Sequence, residues 1–307
     1  MTIKGDDSTK PVVLFIHGGP GSTMSPYGDE VYGYWKKDFI LVNWDQRGAG
    51  RTFGRNAPAN VTEDYWVKNP LTLEQMTGDG IGVVEYLLKH LGKKKIILIG
   101  TSWGSALGAR MALKRPDLFY AYIGHSQIVN ATEGLKHAYN EVLGMAKSAN
   151  DQGSVDKLVS FGSPPYEDAR TEGQLMRIIK KYERDHSTPA PTSWWKLASE
   201  YDNETDARYR EDGDDYSFIN YAGYKKLGIR PMEPGINFMK DGLRFKIPVY
   251  FIQGEVDILT SKELSKAWFI KLKAPKKEYI LVPGAAHGHN KSIIDAQYYI
   301  AKKINVL

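Results

Sequence analysis

Short apolar runs alternate with longer amphipathic stretches through the opening third of the chain. Residues 11–17 (PVVLFIH) and 38–44 (DFILVNW) are continuous apolar runs, each ending in glycine-bearing segments. Residues 73–91 place Met76, Gly80, Val83, Val84, Leu87, Leu88 and Leu91 near a 3.6-residue period, which predicts a helix. Residues 95–100 (KIILIG) predict a third buried strand, and 105–115 a helix that stops at Pro116. Residues 119–125 form a weaker strand candidate. The pattern returns late, with strands at 247–253 and 278–282 and helices at 259–272 and 290–304. Strands without polar alternation, separated by helices, imply a parallel sheet covered on both faces.

Between these blocks the strand signal disappears. Helical patterns occupy 132–148, 166–186 and 193–200, punctuated by Ser163-Pro164-Pro165, Pro189-Ala190-Pro191 and a Pro-Gly segment at 231–235. The predicted class is therefore α/β, a mostly parallel central sheet carrying an inserted helical cap. The expected boundaries are 1–128 and 245–307 for the two parts of the core, and 129–244 for the cap.

Composition narrows the function classes. The 41 basic and 36 acidic residues leave a formal charge of +5, mostly interspersed. The densest basic runs, Lys93-Lys94-Lys95 and the lysines of 271–277, abut strands and suit solvated strand approaches. No nucleic-acid-binding module accompanies them, so no nucleic-acid partner is expected. With no cysteine in the chain, disulfides and thiolate catalysis are excluded. No apolar run reaches the roughly 20 residues that span a bilayer, so no membrane span is expected. The expectation is a soluble protein of the cytoplasm, or a secreted or periplasmic one if a leader has been removed. Oligomeric state is not readable.

Gly100-Thr101-Ser102-Trp103-Gly104 matches G-x-S-x-G. The letters alone recur by chance, but here they join a predicted strand to a predicted helix. A serine on so sharp a turn is held exposed and strained, above a helix N-terminus that favours a developing oxyanion. Ser102 is the predicted nucleophile.

A serine hydroxyl needs a base, and the base needs an orienting carboxylate. On turns of this kind the order along the chain is Ser, acid, His. Of the histidines after Ser102, His287 follows the last predicted strand in a glycine-bearing loop (Pro283-Gly284-Ala285-Ala286-His287-Gly288). His289 shares that loop and is the rival. Asp257, in Gly254-Glu255-Val256-Asp257 after the preceding strand, is the predicted acid, with Glu255 the alternative. All lie beyond strand C-termini, where ligands gather in open α/β sheets.

The first strand leads into His17-Gly18-Gly19-Pro20-Gly21, where a second oxyanion donor belongs. Gly18 and Gly19, with the N–H of Trp103, form the predicted oxyanion hole. His17 reads as a structural support for the loop. These segments, with Asp45-Gln46-Arg47-Gly48-Ala49-Gly50, recur in an order that resembles the proline iminopeptidase (prolyl aminopeptidase) family of the α/β-hydrolase fold. The resemblance covers residues 1–128 and 245–307. It implies Ser102, Asp257 and His287 as catalytic triad, Gly18 and Gly19 as oxyanion residues, and Asp45 with Arg47 as an ion-paired brace. The chain departs from the family's pattern in having Ser105 where glycine is usual. An edge strand ahead of Ile3-Lys4-Gly5 is also expected to be missing.

The resemblance implies a serine hydrolase acting through an acyl-enzyme, most simply an aminopeptidase releasing the N-terminal residue of small peptides. A carboxylesterase or amidase acting on small esters, lactones or amides is the alternative, and a non-catalytic binding protein a third reading. An aminopeptidase needs cap carboxylates for the substrate ammonium. Candidates are Glu133, Glu200 and Glu204, with Glu141 and the acidic run to Asp215, though a solvated acidic loop partnered by Arg208 and Arg210 is the plainer reading of that run. Trp194 and Trp195 are candidates for an apolar pocket, with core packing the competing role. No metal and no cofactor is implied, because acyl transfer needs none and His287-Gly288-His289 lacks accompanying ligands.

Overall fold

The computed structural model describes residues 1–304. Seven strands form one sheet: β1 Thr2–Lys4, β2 Val12–Ile16, β3 Ile40–Asn43, β4 Ile96–Thr101, β5 Phe119–His125, β6 Val249–Gly254 and β7 Lys277–Val282. Their spatial order is β1-β3-β2-β4-β5-β6-β7. Only β1 runs antiparallel to its neighbour, and β2 to β7 are parallel. The expected α/β class with a mostly parallel sheet is thus observed.

Helices flank the strands: α1 Gly28–Tyr32, α2 Gly50–Asn56, α3 Glu63–Lys68, α4 Leu73–Leu91 and α5 Trp103–Lys114 precede β5. Five more lie between β5 and β6: α6 Ala131–Ser148, α7 Gln152–Phe161, α8 Ala169–His186, α9 Glu204–Ala222 and α10 Phe238–Asp241. Two close the chain, α11 Lys262–Lys271 and α12 Lys291–Lys303.

The central strands are apolar throughout because alternate residues serve two cores. Val12, Leu14 and Ile16 pack with Met76, Val84 and Leu87 of α4 on one face. Val13 and Phe15 pack with Ile293, Ile294 and Ile300 of α12 on the other. Each such side chain, fully buried, contributes roughly 1.5–3 kcal/mol. The inserted helices hold a third cluster, with Leu135 and Val142 of α6, Leu158 of α7 and Leu175, Ile179 and Tyr182 of α8. Ile258, next to Asp257, belongs to that third cluster and ties the inserted helices to the loop after β6.

Caps explain where these helices begin. Thr72, Asn130, Asp168 and Asn203 accept N–H bonds in the first turns of α4, α6, α8 and α9. Each such cap is worth about 1 kcal/mol.

Two expectations are corrected. The helix predicted over 193–200 is instead two short 3-10 turns, Thr192–Trp195 and Ser199–Tyr201. The acidic run from Glu204 on is solvated but helical, forming the start of α9 rather than a loop. Its Asp206 is buried and accepts two bonds from the Arg51 guanidinium at 2.6 and 2.8 Å, while Arg210 donates to the Tyr201 carbonyl. Arg51 neutralises Asp206 alone, and Glu200, Asp202, Glu204, Glu211, Asp214 and Asp215 stay exposed.

Candidate active site

Ser102 sits between β4 and α5 with φ 55° and ψ −124°. A non-glycine residue rarely adopts positive φ, and here the close neighbours hold it. A Cβ at Gly100 would meet the Gly104 carbonyl oxygen at 2.2 Å, and one at Gly104 would meet the Ile16 oxygen at 2.1 Å. Both glycines are therefore required for the turn to close. Ser105 in place of the usual glycine is accommodated by use: its hydroxyl donates to the Ser102 carbonyl at 2.6 Å and accepts from the Ile128 N–H at 3.0 Å.

The His287 Nε2 lies 2.9 Å from Ser102 Oγ, and its Nδ1 lies 3.2 and 3.3 Å from the two Asp257 carboxylate oxygens. With Nδ1–H donating to Asp257, Nε2 is left to accept from the serine hydroxyl. Asp257 is fixed in turn, accepting from Gln253 Nε2 at 2.9 Å, Thr260 Oγ1 at 2.5 Å and the Thr260 N–H at 2.8 Å. Burial alone would raise the Asp257 pKa, but His287 and the Thr260 bonds outweigh it and hold the carboxylate below its usual range. Burial alone would lower the His287 pKa, but Asp257, with a smaller share from Glu183, raises it above 6.5.

The rivals are placed elsewhere. His289 packs edge-on to Tyr32 and His125, and burial with the His287 charge pushes its pKa down to about 4. Among the described residues it bonds to neither Ser102 nor Asp257. Glu255 accepts from the Gly284 N–H at 3.3 Å and so braces the histidine loop.

Gly18 packs against Ser102: a Cβ there would stand 3.2 Å from the serine's own. Gly19 has φ +107° and lines both hollows around Ser102. Trp103 is the first residue of α5, where N–H groups lack a helical acceptor. His17 supports this loop, its Nε2 accepting from the Gln46 N–H at 3.3 Å and its Nδ1 donating to the Gly18 carbonyl at 2.9 Å. The expected Asp45–Arg47 brace does not form. Arg47 pairs with Asp79 of α4 at 2.5 and 2.8 Å, while Asp45 accepts from the Thr23 and Ser25 hydroxyls.

Two hollows meet at Ser102. The smaller, about 50 Å³, is lined by Ile128, Val129, Leu135, Met176 and Tyr221, and by the carboxylates of Glu172 and Glu233. Both glutamates are at most 5% exposed, and Glu233 Oε1 has no hydrogen-bond partner among the described residues. Burial raises both pKa values, that of Glu233 to about 7 and that of Glu172 further, with the Glu233 charge adding to it. Both carboxyls are thus held toward their neutral forms unless a cation is placed beside them. The larger hollow, about 730 Å³, is an open groove holding His287, Tyr27, Met24 and Trp195.

The substrate candidates are largely corrected by these positions. Glu133 is exposed and pairs with Lys136 at 3.0 Å, and Glu200 and Glu204 are exposed; none lines either hollow. Trp194 is buried in the core on the α12 face of the sheet. Trp195 lines the larger hollow containing Ser102, and so do Glu211 and Asp214 of the acidic run. Glu172 and Glu233 lie on separate segments of the insertion, Glu172 on the apolar face of α8 and Glu233 in the short turn Glu233–Gly235. A third buried carboxylate, Glu183 of α8, accepts the N–H groups of Ile258 at 2.8 Å and Leu259 at 3.2 Å, immediately after Asp257. Among the described residues no group of three His, Cys, Asp or Glu side chains is arranged to hold a metal ion, and no helix is long and apolar enough to cross a membrane.

Known proteins resemble this chain in sequence and fold. The alpha/beta hydrolase fold family matches residues 11–289. The chain is 28% identical to the probable aminopeptidase YbaC of Bacillus subtilis over 289 residues, covering 94% of this chain and 86% of that protein. It is 24% identical to a probable proline iminopeptidase of Leptolyngbya boryana, covering 98% and 90%. Among solved structures, a proline iminopeptidase of Mycobacterium smegmatis superposes with a TM-score of 0.66 at 15% identity, covering 98% of this chain and 93% of that one. An esterase, RhEst1 of Rhodococcus, shares the fold with a TM-score of 0.53 at 14% identity, covering 99% and 94%.

Proposed function

This chain belongs to the alpha/beta hydrolase fold family and is a hydrolase; we propose that it is a serine aminopeptidase that releases the N-terminal residue of short peptides through an acyl-enzyme. The carrying observation is the Glu172–Glu233 pair inside the same small hollow as Ser102. Ionising a buried carboxyl is costly unless a cation joins it. The free ammonium of a peptide N-terminus is such a cation, and the apolar walls beside it suit the N-terminal side chain. The helices between β5 and β6 then act as the cap that selects substrate.

The chemistry follows from the triad geometry. As Ser102 Oγ attacks the scissile carbonyl carbon, its proton passes to His287 Nε2. The oxyanion is received by the Trp103 N–H and by the Gly18–Gly19 segment. His287 returns the proton to the peptide nitrogen as the C–N bond breaks, leaving an ester on Ser102. Water then attacks that ester, with His287 again as base, and the N-terminal residue departs as a free amino acid. Asp257 stays ionised throughout and keeps the imidazole in the required tautomer.

The test is a panel of aminoacyl-β-naphthylamides, proline included, run beside p-nitrophenyl acetate. Turnover of at least one aminoacyl amide, abolished by N-acetylation of that substrate, is the expected result. Hydrolysis of the acetate with no turnover of any aminoacyl amide would overturn the aminopeptidase reading in favour of an esterase.

A further inference from the structure

The two hollows differ in one respect that assigns their occupants. His287 lines the open groove and is absent from the lining of the small hollow. An imidazole that protonates the departing nitrogen must stand on the side to which that nitrogen leaves. Given the ammonium site at Glu172 and Glu233, on which this argument rests, the remainder of the peptide extends into the groove.

That groove has an apolar wall with no structural employment. Trp195 is 46% exposed although it faces into a concavity, and it meets Tyr27 edge-on with ring centroids 5.7 Å apart. Tyr27 holds the indole in place, while Met24 and Leu259 line the same hollow. Packing inside the fold does not require the open indole face, because its neighbour Trp194 supplies the buried anchor of this turn. An exposed aromatic face, stiffened from one side and lying along a leaving-group path, binds a ring or a large apolar side chain at little entropic cost.

We infer that Trp195 and Tyr27 form the subsite for the residue following the scissile bond, and that it selects peptides whose second residue is aromatic or large and apolar. The indole, an expected candidate for an apolar pocket, thus serves the leaving residue.

The experiment compares X-Phe with X-Gly dipeptides, X being the residue released fastest from the naphthylamides, by chromatography of the freed amino acid. The wild type is expected to favour X-Phe in kcat/KM by about fivefold to tenfold, the size of a partly exposed aromatic contact. Trp195→Ala is expected to bring the ratio close to one, Trp195→Phe to retain most of it, and Tyr27→Ala to lower it, with circular dichroism confirming each fold. A wild-type ratio near one, or a preference that survives Trp195→Ala in folded protein, overturns the inference while leaving the aminopeptidase reading standing. Acetate hydrolysis without turnover of any aminoacyl compound overturns both.

Discussion

The C-terminal edge of the sheet and the helices inserted above it contribute to the site in different ways. The sheet edge supplies one residue from each of three loops, and each is locked by local backbone. Ser102 is pinned by two glycines, Asp257 by Thr260 and Gln253, and His287 by the loop after β7. The insertion supplies Glu172 from α8 and Glu233 from the short turn Glu233–Gly235, two segments brought together only by tertiary packing. Reactive groups on a rigid edge can serve many substrates, and on the function proposed above the inserted helices select among them. Glu183 crosses that division, because it stands on α8 yet grips the backbone beside Asp257.

The largest expected effect tests the sheet edge alone. Ser102→Ala should lower kcat about a million-fold toward esters and aminoacyl amides alike, measured by steady-state hydrolysis of both. Loss toward only one class would mean that the two regions do not share a nucleophile.

The next tests the helices alone. Glu172→Gln combined with Glu233→Gln should reduce kcat/KM for aminoacyl amides by about 10²-fold to 10³-fold, the scale of losing a buried charge partner. Hydrolysis of p-nitrophenyl acetate should change far less, since that substrate has no ammonium. An equal fall for both substrates would make the pair structural.

Glu183→Ala probes the link. Two N–H groups beside Asp257 lose their acceptor, so kcat should fall between about tenfold and a hundredfold for both substrates with little change in KM. Glu183→Gln keeps an acceptor oxygen and should recover most of that rate. Because the Glu183 charge helps to raise the His287 pKa, the glutamine variant should also shift the acid limb of the ester profile to lower pH.

The smallest effect is a difference in pH dependence. His287 must be neutral to take the Ser102 proton, so both substrates lose rate as pH falls through its raised pKa. Glu233 must be ionised to hold an ammonium, and burial puts its pKa at about 7. Protonation below that value removes the charge, so kcat/KM for aminoacyl amides should fall about tenfold more than for the ester between pH 8 and 6. Parallel profiles would remove Glu233 from substrate binding.

The same contrast governs what the chain discloses before it folds. The sheet-edge residues stand in short motifs beside apolar strands, because the turn, the close backbone approach and the reactive side chain are all local demands. Gly100, Ser102 and Gly104 must be neighbours for the elbow to form, and Asp257 and His287 must follow strand ends to reach it. Strand runs such as Val12–Ile16 are equally plain, since burial on both faces leaves no polar position. The short polar helices α2, α3 and α7 carry no such signature, and the charges of α9 hide its helix because its one buried carboxylate, Asp206, is paired by Arg51 from outside the run.

The order of motifs by itself determined the fold class and which serine, histidine and carboxylate to suspect. Only the tertiary structure decided that Glu172 and Glu233 share a hollow with Ser102, that Glu133, Glu200 and Glu204 do not, and that Arg47 turns to Asp79 rather than Asp45. The physical reason is range. A turn is specified by the few residues within it, whereas the burial and pairing of a charge depend on helices that meet only after their apolar faces have packed.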